Sequence, residues 1–119
     1  MIDLATLTGA VKVALGSETA GIISNDDTLA NDLIESGKST FEPLWRLPLF
    51  DEHRDAMKSP YADMNNKGKT PYGGSSQGAA FLEKFIEKDI KWAHLDIAGP
   101  AIVKAAKGPV SADGTGFGA

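Results

Sequence analysis

The spacing of apolar positions changes several times along the chain, and each change marks an element. Over residues 2–8, Ile2, Leu4 and Leu7 are apolar while Thr6 and Thr8 are β-branched, which predicts a strand broken at Gly9. Residues 10–15 (AVKVAL) are read as one or two helical turns. The run 19–25 (TAGIISN) predicts a buried strand centred on Ile22 and Ile23. Asn25, Asp26 and Asp27 then offer N-cap chemistry for a helix over 27–37. Its apolar positions Leu29, Ala30, Leu33 and Ile34 recur at helical spacing, and Gly37 is the expected stop.

The middle of the chain is less regular. Residues 41–50 (FEPLWRLPLF) are apolar, but Pro43 and Pro48 make them an extended packed segment and not a helix. Residues 51–59 read as a short charged helix. Residues 62–78 have turn composition throughout, and a loop this long and polar suits a functional or interaction arm. Ser75 or Ser76 is then expected to cap a helix over 77–88, with Ala79, Phe81, Leu82, Phe85 and Ile86 on one face. Residues 91–99 (KWAHLDIAG) give the clearest strand pattern. Trp92, His94 and Asp96 share one face, and Ala93, Leu95 and Ile97 share the other. The tail 107–119 is expected to contain neither helix nor strand. Alternating strands and helices indicate an α/β sheet.

Composition narrows the function classes. The 119 residues are 42% hydrophobic and 24% charged, which suits one domain or part of one. A net charge of -4 with scattered lysines argues against a nucleic-acid partner. The chain has no cysteine, so disulfides, thiol catalysis and thiolate metal sites are excluded. No apolar run approaches the ~20 residues of a membrane-spanning helix. No signal-peptide pattern opens the chain, so a soluble cytoplasmic protein is expected.

Few residues carry obvious chemistry. Residues 16–21 (GSETAG) have the glycine spacing of a phosphate loop but lack the Lys-Ser/Thr that should follow. The GTGFG of residues 114–118 precedes no helix. No G-x-S-x-G elbow is present. His53 and His94 are the only histidines. His53 sits among charged residues and reads as part of a solvated face. His94 reads as a buried, satisfied histidine whose side chain lies beside that of Asp96. Asp3, Asp63 and Asp96 come from separate stretches, and nothing in the sequence requires them to converge on a cation. The turn after the first strand leaves two readings open. Thr8-Gly9 is a helix cap, or its free backbone groups hold a ligand at the carboxyl edge of the sheet.

Taken together, several stretches resemble one family. "IDLATLTGAVKVALG" (2–16), "WRLPL" (45–49), "ADMNN" (62–66), "AAFLEKF" (79–85) and "WAHLDIAGPA" (92–101) occur in the order and approximate spacing of the leucyl aminopeptidases, peptidase family M17. The resemblance covers essentially the whole chain. It implies a mixed-sheet, three-layer α/β catalytic domain of which residues 1–119 are the C-terminal part, truncated at both ends. It also implies metal-assisted removal of N-terminal residues, notably leucine, from peptides. The family uses two divalent cations, Zn²⁺, Mn²⁺ or Mg²⁺, and assembles as a hexamer. Its metal ligands and its N-T-D-A-E-G-R segment lie upstream of the part matched here, so the chain is expected to lack cofactors and to be inactive alone. What carries over is a substrate-facing wall. Thr6, Leu7 and Gly9 match positions lining the substrate site, with the Leu7 carbonyl accepting from the peptide backbone and the Gly9 N–H donating to it. Ala98 and Ala101 match the pocket for the first side chain. Lys67 stands where the family usually has an apolar pocket residue. The competing reading is a non-catalytic α/β module that binds itself or a partner, and a further one is an anion site at the Gly9 turn.

Overall fold

The computed structural model describes residues 1–105 and 112–119. Its core is a mixed four-stranded sheet. The strands are β1 (Ile2–Ala5), β2 (Ala20–Ser24), β3 (Leu44–Arg46) and β4 (Ala93–Asp96), in the order β1-β4-β2-β3. β1 runs parallel to β4, β4 antiparallel to β2, and β2 parallel to β3. All residues of β2 and β4 are buried, as two central strands of a sheet covered on both faces should be.

The helices divide between the two faces. One helix, α2 (Asp27–Thr40), covers the first face, where Ala30 packs with Ile22, Ala93 and Leu95. The other face carries α1 (Gly9–Leu15), α3 (Asp51–Ala56) and α4 (Gly74–Glu83), with Ala79 of α4 against Ile23 and Trp92. Alternation along β4 assigns these faces as the sequence pattern requires: Ala93 and Leu95 go to α2, and Trp92 goes to α4. Each large apolar side chain removed from water there contributes about 1.5–3 kcal/mol. The fold is therefore α/β with helices on both sides of a mixed sheet, as expected.

Several boundaries differ from the sequence reading, each for a physical reason. The first strand ends at Ala5 because Asp96 draws the Leu7 and Thr8 amides out of the ladder. α2 passes Gly37 and ends at Thr40, capped by Phe41, which takes the left-handed conformation a stop glycine would have supplied. Gly37 is needed for another reason: a side chain there would fall against the Glu42 carbonyl. α4 starts at Gly74, so Ser75 and Ser76 lie inside it and do not cap it. The tail contributes a strand after all, because β5 (Ile102–Val103) pairs antiparallel with β6 (Asp113–Gly114). Residues 107–111 of that tail lie outside the described residues.

Candidate functional site

The candidate site forms where β1 and β4 end together. Ala5 is in register with Asp96, and the Ile97 N–H reaches the Ala5 carbonyl at 2.9 Å, so the turns after both strands lie side by side. Asp96 is wholly buried on the α4 face. Its cross-strand neighbour is Gly21, which places no side chain beside the carboxylate.

That carboxylate is a hub. Its Oδ1 accepts from the N–H groups of Leu7 at 3.1 Å, Thr8 at 3.3 Å and Ala98 at 3.4 Å. Its Oδ2 accepts the Thr8 hydroxyl at 2.5 Å. The Thr8 Oγ1 then accepts from the Val11 N–H at 3.2 Å, which caps α1, and lies 3.0 Å from the Ser75 Oγ. A hydroxyl has one hydrogen and two lone pairs. With the Thr8 hydrogen given to Asp96, Ser75 is the donor in its contact with Thr8. The chain Ser75–Thr8–Asp96 thus ties α4, the turn and β4 into one polar network.

The outward side of the turn is different. Among the described residues, neither the Leu7 carbonyl nor the Gly9 N–H has a hydrogen-bond partner. Thr6, Leu7 and Gly9 are exposed. A carbonyl and an N–H two residues apart match what an extended peptide backbone presents. Beside the turn lies a cavity of about 280 Å³ whose walls include Leu7, Thr8, Met57, Lys67 and Gln77. Gly78 admits this close packing, since a side chain on it would reach within 2.9 Å of the Leu7 Cδ2. Lys67 is exposed at the cavity wall. Ala98 joins the site through its bond to Asp96. Ala101 lies one turn further on: its N–H bonds to the Ile97 carbonyl and its own carbonyl accepts from Thr115. Neither alanine lines the 280 Å³ cavity. A larger cleft of about 580 Å³ lies on the α2 side beneath Phe41 and Phe117, and none of the five predicted site residues lines it.

Two histidine expectations need correcting. His94 does not meet Asp96. Its Nδ1 lies 2.6 Å from the Asp3 Oδ1 of the parallel neighbour β1, while the Trp92 Nε1 donates to the Asp3 Oδ2 at 2.6 Å. Nor is His94 fully satisfied, because its buried Nε2 has no partner among the described residues. His53 is not on a solvated face. It is buried, stacks on Phe50, and accepts the Phe50 N–H at 2.9 Å, so it caps α3 with its own ring.

Charge elsewhere is structural. Arg54 bridges Glu83 and Asp51, and the Glu83 carboxylate, foremost, holds the guanidinium above its ordinary pKa. Asp26 is held below the usual carboxylate range, chiefly by the Leu29 N–H it caps and also by Lys91. No three His, Asp or Glu side chains among the described residues are placed to hold a metal ion. Asp3 and Asp96 are already committed to protein donors, so the residues present do not fit a two-cation centre.

The cytosol aminopeptidase family, catalytic domain, matches residues 1–119. The chain belongs to that family. It is 52% identical over 118 residues to a probable cytosol aminopeptidase of Chlorobium phaeobacteroides, covering 99% of this chain and 23% of that protein. A probable cytosol aminopeptidase of Persephonella marina is 50% identical over 101 residues, covering 85% of this chain and 20% of that protein. Among solved structures, a tomato leucine aminopeptidase carrying a K354E substitution superposes with a TM-score of 0.89 at 43% identity, over 98% of this chain and 22% of that one. The chain thus spans between a fifth and a quarter of the length of these aminopeptidases. The sequence reading located the turn by resemblance but missed Asp96 as its anchor. A carboxylate at the end of a strand otherwise buried was the available signal, since buried carboxylates are rare unless bonded.

Proposed function

We propose that this chain forms the peptide-backbone wall of a metal-dependent leucyl aminopeptidase, an exopeptidase removing N-terminal residues, notably leucine. The observation that carries this reading is the pair Leu7 C=O and Gly9 N–H, without a partner among the described residues, on a turn bonded from behind by Asp96. An extended peptide gives an N–H to the first and a carbonyl to the second. Thr6 adds a hydroxyl at the same edge, and the pocket for the first side chain is assigned to Ala98 and Ala101 by the family resemblance, apart from the 280 Å³ cavity. The names of the cytosol and leucine aminopeptidase relatives support the same reaction class.

The wall binds and orients but brings no group that cleaves. Thr6, Leu7 and Gly9 offer no general base, and the described residues assemble no cation cluster. Residues 106–111 contain no Asp, Glu or His. On this reading the 119 residues alone do not hydrolyse peptides, and the two divalent cations (Zn²⁺, Mn²⁺ or Mg²⁺) are held by other polypeptide. The setting proposed is cytoplasmic, with the parent enzyme a homohexamer. A leucine-anilide assay with Mn²⁺ on the 119-residue chain is expected to give no turnover above background. Chelator-sensitive turnover, or stoichiometric tight Mn²⁺ binding by calorimetry, overturns the inactivity. A second reading, a self-associating module, is favoured by β1: among the described residues it pairs with β4 alone, and it exposes Ile2 and Leu4. Sedimentation giving one defined oligomer that fails to bind peptide selects that reading.

A further inference from the structure

We propose that Asp96 is the positioning residue of the Leu7–Gly9 wall, setting the direction in which its two working groups point; the proposal rests on reading that wall as a peptide-backbone site. The argument starts from peptide geometry. The Leu7 carbonyl and the Thr8 N–H belong to one planar unit, and in a trans unit they point to opposite sides. All peptide bonds described here are trans. Anchoring the Thr8 N–H on Asp96 Oδ1 therefore turns the Leu7 carbonyl away from the protein interior. The Leu7 N–H on the same oxygen removes the remaining freedom of the residue.

The Gly9 N–H is set by the next unit. Gly9 is the first residue of α1, so its N–H has no acceptor within the helix, and the residue is exposed. The Gly9 N–H consequently points away from the helix. What holds the start of α1 is the Thr8 hydroxyl, which accepts from Val11 and donates to Asp96 Oδ2. One carboxylate thus fixes both planes, through two amides and one hydroxyl.

Among the described residues, the bonds of this acid all serve the turns at the strand ends. Burying a carboxylate costs several kcal/mol unless it is fully hydrogen-bonded. The strand around it is otherwise apolar or aromatic on this face except for His94, and every bond Asp96 makes goes to the two adjoining turns. An apolar residue would serve the core and leave the turn unheld.

Asparagine separates orientation from charge. The side-chain carbonyl oxygen introduced by D96N can still accept both amides, while the Thr8 hydroxyl hydrogen must swing to Ser75. Alanine keeps neither bond. The test uses the 119-residue chain and amide hydrogen exchange read by NMR. In the wild type, the Leu7 and Thr8 amides are expected to be protected although they lie in no helix or strand. D96A is expected to speed their exchange about 100-fold with the Ile22 and Leu95 amides unchanged, and D96N to stay within about tenfold of wild type. Unprotected Leu7 and Thr8 amides in the wild type overturn the proposal, and so does unchanged protection in D96A with the core intact. Where D96A loses its core protection, the wild-type and D96N values decide on the same criteria.

A peptide titration separates this proposal from the reading beneath it. Trileucine is expected to shift the wild-type Gly9 amide resonance, with a Kd at least about tenfold weaker in D96A and partly restored in D96N. Equal affinity in all three chains overturns the positioning role. A wild-type Gly9 resonance that ignores trileucine while Leu7 and Thr8 remain protected sinks the peptide reading and leaves the orientation by Asp96 standing.

Discussion

The two faces of the sheet are built from the same strands and solve different problems. Toward α2 the contacts are almost wholly apolar, with Ile22, Ala30, Ala93 and Leu95 surrounded by Leu29, Leu33, Ile34 and Leu44. Toward α1, α3 and α4 the buried set also includes His94, Asp96, Ser75, Ser76 and Gln77. Nearly every one of these polar groups is bonded: Ser76 to the Pro48 carbonyl, Gln77 to Thr70 and Tyr72, Asp96 to the turn. Non-directional burial suffices to seat a helix on a sheet. Holding irregular backbone in one conformation takes directional bonds, and the face with the loops is where they collect.

The comparison is broken most severely at Trp92, which belongs to both worlds. Its ring is buried with Ile23 and Ala79, and its Nε1 bonds to Asp3. W92A is expected to cost about 3–5 kcal/mol in urea unfolding, from the cavity and the lost bond together. Next come two substitutions that set the faces against each other. I22A on the apolar face is expected to cost about 2–4 kcal/mol by volume loss. D96L keeps the branched shape of the side chain with larger tips, and is expected to cost about 3 kcal/mol, chiefly because the Leu7, Thr8 and Ala98 amides lose their acceptor. A D96L chain as stable as wild type in the same urea series would show that the polar face needs no directional anchor.

A smaller effect is expected at His94. H94L removes a buried nitrogen that has no partner among the described residues while also removing the Asp3 contact, so the two changes oppose. The net cost is expected to be below about 1.5 kcal/mol, measured by thermal and urea unfolding. The smallest effect is one of pH and lies on the apolar side, at the start of α2. The folded-state pKa of Asp26 is depressed below its unfolded value of 3.8, chiefly by the Leu29 N–H. Its contribution is therefore fully present above pH 3.8 and is lost as pH falls through the lower folded value. D26N, which keeps a capping oxygen, is expected to flatten the acid limb of the melting-temperature profile below pH 4 and leave the neutral plateau nearly unchanged. An acid limb identical in both chains removes the assignment.

Much of the fold was legible because period and burial are coupled. The alternation in 91–99 assigned Ala93 and Leu95 to one face and Trp92 to the other, and the structure has them so. The helix at 27–37 was legible from Leu29, Ala30, Leu33 and Ile34, but its end was not. Whether a glycine stops a helix or admits a neighbour depends on what approaches it, and the Glu42 carbonyl approaches Gly37. The histidines were misjudged for the same reason. His53 has charged sequence neighbours, and Glu52 stays near its Nε2, yet the ring is buried against Phe50 and Gly73. His94 is two residues from Asp96 in sequence, but its carboxylate comes from Asp3, 91 residues away.

The sequence by itself determined the family, the α/β class and the order of elements, because these follow from local periodicity and from extended strings that chance does not reproduce. It also located the turn at Thr6–Gly9. Only the tertiary structure decided which way that turn faces. The residue that orients it lies 88 and 89 positions away on a parallel strand, and a bond across that separation exists only once β1 and β4 are in register. Periodicity records which face of a strand is buried. It does not record which backbone amide a buried carboxylate will find.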